Sequence, residues 1–313
     1  MSTATTTAQP VLHPELQVVL DRFNEARAQP PETYKHWPGV LERPTFFGVE
    51  ALQRHLSNPL LQPNWVGLVF RGQMIPLDQA CFYKIVQTKQ IVFMDKRVLD
   101  GYLAQGASVV LEGLDILDPG INAFLAGLDA GFPLAFSNCV AFFSQLGNEA
   151  YRGHYDSDDV LVIHISGEKR WRLFAHQPPR RVNTHDMTPE QMGRQIGELT
   201  ARPGDVLYVR SGVPHVCDTL GSHSLHLAFD LCDRTPTIEY QLQMALERYA
   251  HATSAPYTPA PQVAGAFAEL LKSAAFAGDL GRRAEAVRAE LRAFRERIGF
   301  AGRVTSLSRF AQR

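Results

Sequence analysis

The sequence has few cysteines, no long apolar run and almost no net charge. Its four cysteines, Cys81, Cys139, Cys217 and Cys232, form no Cys-x-x-Cys pair, so we expect buried thiols in a reduced, cytoplasmic protein. A membrane-spanning helix needs about 20 mostly apolar residues, and runs such as residues 160–165 are short, which predicts no membrane span. Lys and Arg total 31 against 32 Asp and Glu, so a broadly basic nucleic-acid-binding protein is not expected.

The composition is that of a folded protein, with 45% hydrophobic and 20% charged residues among 313. These values exclude disorder over the whole chain. Residues 1–10 are rich in Thr and Ala and lack the basic and apolar segments of a signal peptide, so we interpret residues 1–12 as a flexible tail. We expect one large domain over residues 13–235 and a helical region over residues 236–313.

Short β-type runs dominate the middle of the chain. Helices are predicted before and among them, over residues 14–28 and 118–128, where apolar residues recur at helical spacing. Turn residues such as Ser166-Gly167 and the Pro-Gly-Asp at 203–205 separate several runs, which is typical of an all-β sandwich or barrel. The predicted strands cover residues 65–70, 90–94, 108–111, 134–146, 159–166, 170–174, 198–201, 205–209 and 224–231.

The C-terminal part of the chain predicts helices over residues 238–250, 262–276 and 282–298. Residues 282–313 contain nine Arg but three Glu, which indicates either a solvated helix face or a site for an anionic partner. An apolar stripe in the last helix predicts a homodimer formed through these helices. The residues of the stripe are Val287, Leu291, Phe294 and Ile298.

A closely spaced His–Asp pair and a distant histidine carry the first chemical signal. His154 and Asp156 are two residues apart, so their side chains share one side of an extended strand. His215 ends a Gly-x-Pro-His corner, which can present its imidazole at the mouth of a barrel. Two imidazoles and one carboxylate form the facial triad of non-haem Fe(II) oxygenases. The pair alone is a weak signal that occurs by chance in many proteins, and the alternative interpretation of His154 is a hydrogen-bonded histidine at a barrel rim.

Lys169 is the second chemical signal. It follows the predicted turn at Gly167, on the strand after the His–Asp pair. An ammonium group that reaches into a barrel needs an anion there, because an unpaired buried charge is very costly. A dicarboxylate cosubstrate would supply that anion, whereas the alternative interpretation is a solvated lysine in a turn.

Three segments together resemble one family. Residues 153–174 (GHYDSDDVLVIHISGEKRWRLF), 202–215 (RPGDVLYVRSGVPH) and 223–229 (HSLHLAF) resemble the JmjC-type cupins, especially the bacterial cupin-like hydroxylases related to the ribosomal oxygenases. The resemblance covers about residues 137–230, roughly a third of the chain. The order of the motifs is far more specific than any one of them.

The resemblance implies a mainly β fold. Its core is a double-stranded β-helix, or jelly roll, at about residues 134–232, with an N-terminal α/β elaboration and the C-terminal helical region. It implies Fe(II) bound by His154, Asp156 and His215. It also implies O2 as a substrate and 2-oxoglutarate as a cosubstrate, which chelates the iron and pairs its distal carboxylate with Lys169. The residues that it associates with the cosubstrate pocket are Asn138, Ser224 and His226.

Four other residues are candidates for contact with a substrate or for core packing. Tyr151 and Arg152 precede the triad on a loop, and loops at a barrel mouth often contact substrate. At period two, His164 shares the face of the triad strand and is either a pocket residue or a hydrogen-bonded core histidine. Trp171 is expected to pack in the core rather than to form a substrate platform.

Several functions are compatible with these residues. The leading hypothesis is a dioxygenase that hydroxylates an aliphatic C–H bond of a peptide or protein side chain and releases succinate and CO2. The second is a hydroxylase of a free amino acid or another small molecule. A non-catalytic metal-binding cupin ranks lower, because His154, Asp156, Lys169 and His215 form a complete set. Lysine demethylation also ranks lower, because no chromatin-reading module is visible.

Overall fold

The computed structural model describes residues 12–71, 73–130, 135–145, 152–177 and 186–233, together with seven single positions between residues 265 and 293. The chain forms two units. The first comprises residues 1–128 and 137–231, and it contains all the described residues of the candidate site. The second comprises residues 129–136 and 232–313.

The seven single positions of the second unit are helical and fall inside two of the predicted helices, at residues 262–276 and 282–298. Among them, Lys272 Nζ donates to Glu269 Oε1 at 3.3 Å, one helical turn away. The predicted helix at residues 238–250 and the apolar stripe of the last helix lie outside the described residues. Dimerisation through these helices therefore stays a prediction.

The first unit contains the two helices that the sequence predicts before and among the strands. Helix α1 (Pro14–Ala28) has the predicted bounds and buries an apolar face with Leu16 and Phe23. The helix predicted over residues 118–128 is α5 (Pro119–Ala130), and the Asp118 carboxylate accepts hydrogen bonds from the backbone N–H groups of its first turn. The other helices are α2 (Val49–Ser57), α3 (Lys96–Ala104), α4 (Leu114–Leu117) and α6 (Pro189–Met192).

An antiparallel sheet forms the centre of the first unit. The strands of the described ranges are β1 (Tyr34–Trp37), β2 (Val66–Phe70), β3 (Gln73–Met74), β4 (Cys81–Val86), β5 (Lys89–Met94), β6 (Ser108–Leu111), β7 (Ala135–Gln145), β8 (Asp159–Phe174), β9 (Gln195–Ala201), β10 (Val206–Val209) and β11 (His215–Asp233). Nine of them form the sheet, in the order β1-β10-β8-β11-β7-β6-β2-β3, and β9 also pairs with β8. Strands β4 and β5 form a separate hairpin.

The prediction of a turn at Ser166-Gly167 is wrong. The segments predicted as separate strands, residues 159–166 and 170–174, form the single 16-residue strand β8. Gly167 instead sits at an irregularity within the strand, with φ +70°, and a Cβ there would lie 1.9 Å from the His223 carbonyl oxygen. The facing strand β11 shifts register at the same level, between Leu220 and Ser224. Glycine is therefore needed for a close backbone approach, not for chain reversal.

This irregularity decides which side chains of β8 face the inside of the barrel. Before Gly167 the inward residues are Val160 and Val162, and after it they are Lys169 and Trp171. Side chains alternate strictly in a regular strand, so the change from even to odd positions requires the extra residue of a bulge. Strand β11 shows the same change, from odd to even positions. The parts of β8 and β11 on either side of the irregularity therefore both line one cavity.

Candidate metal centre and cavity

Backbone pairing brings the two predicted histidine ligands together. His154 and His215 form an isolated antiparallel bridge, with N···O distances of 3.0 and 2.7 Å in the two directions. The Asp156 carbonyl accepts a hydrogen bond from Gly212 N at 2.9 Å, which ties the segment after His154 to the corner before His215. The two segments are 61 residues apart in sequence but are fixed to each other at both ends of the site.

The ligand atoms of the triad converge. One ligand atom from each of His154, Asp156 and His215 lies within 4.8 Å of the others. His154 Nε2 is 3.8 Å from Asp156 Oδ1, and His215 Nε2 is 3.8 Å from Asp156 Oδ2. Both imidazoles therefore present the same nitrogen to one carboxylate, the donor set expected for an N/O metal site with open positions.

Hydrogen bonds on the far side of each ring fix these orientations. His154 Nδ1 lies 2.8 Å from the Arg152 carbonyl oxygen, and His215 Nδ1 lies 3.1 Å from that of Val213. A carbonyl accepts from Nδ1–H, which leaves Nε2 as the lone-pair nitrogen that a metal needs. Burial lowers the pKa of His215 to about 4, so this imidazole is neutral at physiological pH. The residues present thus fit a divalent cation such as Fe(II).

The triad opens into a cavity of about 210 Å³. Lys169 lines this cavity and is 3% exposed, so its ammonium group is inside the barrel rather than in a solvated turn. Trp171 also lines it and stacks on the His215 ring, with centroids 5.4 Å apart. The cavity wall consists of Val110, Glu112, Val140, Phe142, His154, Asp156, Asp158, Val160, Val162, Lys169, Trp171, Val209, His215, Cys217, His226, Ala228 and Asp230.

Three further carboxylates lie in this cavity: Glu112, Asp158 and Asp230. Burial raises the pKa of Asp230 to about 7, and the negative charges of Asp156, Asp158 and Glu112 add to the shift, while a hydrogen bond from Asn138 opposes it. Burial also raises the pKa of Glu112. Burial and the neighbouring negative charges thus favour the protonated, neutral form of Asp230.

His226 lies on the β11 side of the cavity and is 4% exposed. Its ring stacks on Phe142 with centroids 5.0 Å apart and planes 7° apart. Burial, followed by the positive charge of Lys169, lowers its pKa well below the ordinary value, so the ring is neutral. Among the described residues its buried Nδ1 has no hydrogen-bond partner.

The remaining predicted site residues lie elsewhere. Asn138 donates to the Asp230 carboxylate, and Ser224 is fully buried opposite Gly167, outside the cavity wall. His164 is 1% exposed, is absent from the wall, and has Nε2 3.0 Å from the Gly167 carbonyl oxygen, as in a hydrogen-bonded core histidine. Arg152 is exposed, with Nε 3.7 Å from Asp186 Oδ1. Tyr151 lies outside the described residues.

Sequence reasoning missed Glu112 and Asp230 as cavity residues. Asp230 is four residues after His226 on the same strand, so both side chains point to the same face. Since His226 was predicted to be a pocket residue, strand alternation could have predicted Asp230 as well. Glu112 directly follows the correctly predicted strand β6, but nothing in the sequence shows that this strand end meets the cavity.

Comparison with known proteins finds a family that matches one segment of the chain. Residues 131–240 match the sequence profile described as "JmjC domain". This segment is similar to JmjC domains. It includes the triad, Lys169 and the full length of β8 and β11, and its antiparallel architecture confirms the predicted mainly β cupin fold.

Relatives of this chain are found among much longer proteins. A bifunctional lysine-specific demethylase and histidyl-hydroxylase NO66 of Aedes aegypti is 33% identical over 165 residues, which are 51% of this chain and 23% of that protein. Ribosomal oxygenase 2 of Bos taurus is 32% identical over 88 residues, 28% of this chain and 19% of that protein. The matches thus span less than a quarter of these relatives.

A solved structure has the same fold. YcfD, a ribosomal oxygenase from Escherichia coli, in complex with cobalt and 2-oxoglutarate, matches with a TM-score of 0.53 over 81% of this chain and 68% of that chain. The two sequences are 14% identical, so the likeness shows the fold alone. In the part of the chain that the structure describes, no helix is long and apolar enough to cross a membrane.

Proposed function

We propose that this chain is an Fe(II)- and 2-oxoglutarate-dependent dioxygenase that hydroxylates an aliphatic C–H bond of a peptide or protein side chain, with succinate and CO2 as coproducts. One observation carries the proposal. The ligand atoms of His154, Asp156 and His215 converge within 4.8 Å in a cavity that also contains the buried ammonium group of Lys169. A metal site and an anion site in one enclosed space are the two requirements of this chemistry.

His154, Asp156 and His215 would hold the iron, and the metal supplies the redox centre at which O2 and 2-oxoglutarate react. The carbonyl groups of Arg152 and Val213 keep both Nε2 atoms directed at the metal position. Because burial lowers the pKa of His215 to about 4, this ring can bind a cation without first losing a proton.

Lys169 would bind the distal carboxylate of 2-oxoglutarate. Its ammonium group is buried, and a charge pair is stronger in such a low-dielectric space than in water. Val140, Val162 and Trp171 form apolar parts of the wall around it. With the cosubstrate bound, these side chains would keep water away from the reacting groups.

The relatives favour a polypeptide substrate. Their names describe a histidyl-hydroxylase that is also a lysine-specific demethylase, and ribosomal oxygenases. The cavity volume of about 210 Å³ is below the roughly 300–1,000 Å³ of sites that enclose whole drug-sized ligands.

Succinate formation tests the proposal. The full chain is loaded with Fe(II) without oxygen, supplied with 2-oxoglutarate and then exposed to air. We expect slow succinate production in the wild type and at least a 100-fold loss in His215→Ala, because one of three metal ligands is removed. Glu198→Gln, which changes an exposed carboxylate on β9, is the matched control and should retain the wild-type rate.

Equal succinate production by the wild type and His215→Ala would contradict the proposal. Iron binding without any succinate, with or without an added peptide mixture, would also contradict it and would favour a non-catalytic metal-binding protein. Turnover with free amino acids but not with peptides would move the assignment to a small-molecule hydroxylase.

A further inference from the structure

One carboxylate at the start of β8 binds three groups of the corner that leads to His215. Asp159 Oδ1 accepts hydrogen bonds from Ser211 N at 2.8 Å and from Arg210 Nε at 3.3 Å. Asp159 Oδ2 accepts a hydrogen bond from the Tyr208 hydroxyl and is 3.2 Å from Arg210 Nε. Asp159 and its three partners form a set that we name the corner brace.

The corner brace lies outside the cavity. Val160 and Val162 are the inward residues of this part of β8, so Asp159 points to the outer face of the barrel. Tyr208 is 4% exposed, and burial together with the charge of Asp159 raises its pKa, so its hydroxyl keeps the proton that it donates. Because the brace does not line the cavity wall, any effect that it has on the site passes through the backbone.

The backbone on either side of the corner brace carries two predicted metal ligands. Asp156 precedes Asp159 by three residues, and His215 follows Ser211 by four. Gly212 N donates to the Asp156 carbonyl at 2.9 Å, next to the bond between Ser211 N and the Asp159 carboxylate. Two consecutive N–H groups of the corner are thus bound to the segment that carries the carboxylate ligand.

A tight turn connects the corner brace to the imidazole of His215. Val213 N donates to the Arg210 carbonyl at 3.2 Å, and Gly212 inside this turn has φ +75°. The Val213 carbonyl oxygen lies 3.1 Å from His215 Nδ1 and fixes the direction of that ring. A displacement of Arg210 is therefore transmitted to the metal-binding nitrogen of His215 through one turn of the chain.

Arg210 also ties the corner brace to the N-terminal part of the first unit. Its Nη1 donates to the Pro31 carbonyl at 3.2 Å, and its backbone N donates to the Thr33 carbonyl at 2.8 Å. The guanidinium group therefore has partners on two sides. Asp159 is thus bound to a corner that is itself anchored outside the barrel sheet.

We propose that Asp159 is a positioning residue of the metal site: it holds the corner at residues 208–212 against β8 and thereby keeps His215 and Asp156 at the separation that metal binding requires. The inference rests on the proposed function, because it concerns the same triad. Residues that orient metal ligands typically contribute about 10- to 100-fold to metal affinity. A residue that only stabilised the fold would have no such specific effect.

Asp218 offers a matched control on the outer face of the same barrel. Its Oδ2 accepts from Arg170 Nε at 2.9 Å and from Arg172 Nη2 at 3.1 Å. Its side chain is 18% exposed and that of Asp159 is 20% exposed, so the two carboxylates are similarly buried beside arginine. These arginines are side chains of β8 beyond Gly167, whereas Asp159 binds a backbone N–H group of the corner.

Titration of the chelator-treated full chain with Co(II) tests the inference without turnover. Calorimetry gives the affinity, and the visible absorption of bound Co(II) reports its coordination. We expect Asp159→Asn to weaken Co(II) binding about 10-fold or more and to change the absorption band, because the amide presents N–H groups to donors of the brace. Asp218→Asn should retain the wild-type affinity and band.

Tyr208→Phe is a second variant, which removes one donor of the corner brace and retains the aromatic ring. It should weaken Co(II) binding about threefold, since two of the three donors to Asp159 remain. In the double variant with Asp159→Asn the two losses should not add, because both substitutions remove the same contact. Urea unfolding shows whether Asp159→Asn and Asp218→Asn lose similar stability.

Wild-type Co(II) affinity in Asp159→Asn would overturn the inference. An equal loss of affinity in Asp159→Asn and Asp218→Asn would also overturn it, because the effect would then follow general stability. If circular dichroism shows that Asp159→Asn does not fold, Tyr208→Phe decides, and wild-type affinity in that variant would reject the role of the brace.

The two proposals fail separately. Succinate production by a chain whose Co(II) affinity does not depend on Asp159 would leave the oxygenase assignment standing and reject the positioning role. A selective loss of Co(II) affinity in Asp159→Asn, in a chain whose wild type makes no succinate, would retain the positioning role and reject the oxygenase assignment. A wild type that binds no Co(II) would reject both.

Discussion

At the scale of single residues, the chemistry of the site depends on imidazoles that the fold keeps neutral. Burial lowers the pKa of His164 and of His215 to about 4, and lowers that of His226 in the same direction. Two of these rings line the cavity and one is a core residue. Burial keeps His215 neutral for metal binding, and the same burial makes the stability of the fold sensitive to acid.

Stability of the metal-free protein should fall as the pH is lowered from 7 to 5. The unfolded chain takes up protons on His164 and His215 near pH 6.5, whereas the folded chain does so only near pH 4, which costs on the order of 2 kcal/mol for each of the two at pH 5. Asp230 acts in the opposite direction, because its folded pKa of about 7 lies above its unfolded value.

Asp230→Asn separates these opposing effects. The variant should be more stable than the wild type at pH 7, and its free energy of unfolding should fall by about 2 kcal/mol more between pH 7 and pH 5. Urea unfolding in the presence of a chelator measures both quantities. A variant that is less stable at pH 7, or that has the same pH dependence as the wild type, would contradict the assigned shifts.

The sequence predicts the polar residues of the site unevenly. The roles of His154, Asp156, His215 and Lys169 could be expected because their motifs resemble those of a known family. Glu112 could not be assigned, because its position depends on which strands become neighbours in the sheet. Pairing between distant strands is a property of the folded chain, and local spacing does not encode it.

At the scale of elements, the irregularity at Gly167 positions the anion site. It changes the inward positions of β8 from even to odd, which turns Lys169 toward the cavity. A Ser-Gly pair signals a turn and a strand bulge equally well, which is why two strands are predicted where one is found. The close approach of the His223 carbonyl, which distinguishes the two, arises only after β8 and β11 pair.

Gly167→Ala should therefore lower the free energy of unfolding by more than the replacement of a glycine with positive φ normally does. Gly221→Ala is the matched control, because Gly221 has a similar φ of +67° but no atom within 4 Å of an added Cβ. We expect a loss of about 1 kcal/mol for the control, from the backbone conformation alone. Gly167→Ala should lose at least about 2 kcal/mol more, because the added Cβ contacts a backbone carbonyl.

Chemical unfolding measures the two stabilities, and titration with 2-oxoglutarate measures the anion site. Affinity should fall at least 10-fold in Gly167→Ala, because Lys169 is displaced, and should be unchanged in Gly221→Ala. Equal effects of the two substitutions on both measurements would show that the contact with His223 does not position Lys169.

At the scale of the whole molecule, residues 131–240 supply the triad and Lys169, and the C-terminal region supplies a predicted interface. The apolar stripe of residues 287–298 predicts a homodimer, so size-exclusion chromatography with light scattering should give twice the 34.9 kDa mass of one chain. Leu291→Asp places a charge in the stripe and should yield the single-chain mass. A wild-type protein of single-chain mass at micromolar concentration would reject the interface.

The central claim is that one cavity joins an iron site to a carboxylate-binding lysine. Anaerobic titration of Fe(II) and 2-oxoglutarate, followed by the visible charge-transfer band of the chelate, tests it most directly. We predict one iron per wild-type chain, no band in folded His154→Ala, and a band in Lys169→Met that requires at least 10-fold more 2-oxoglutarate. A wild-type-like band in either variant would contradict the account.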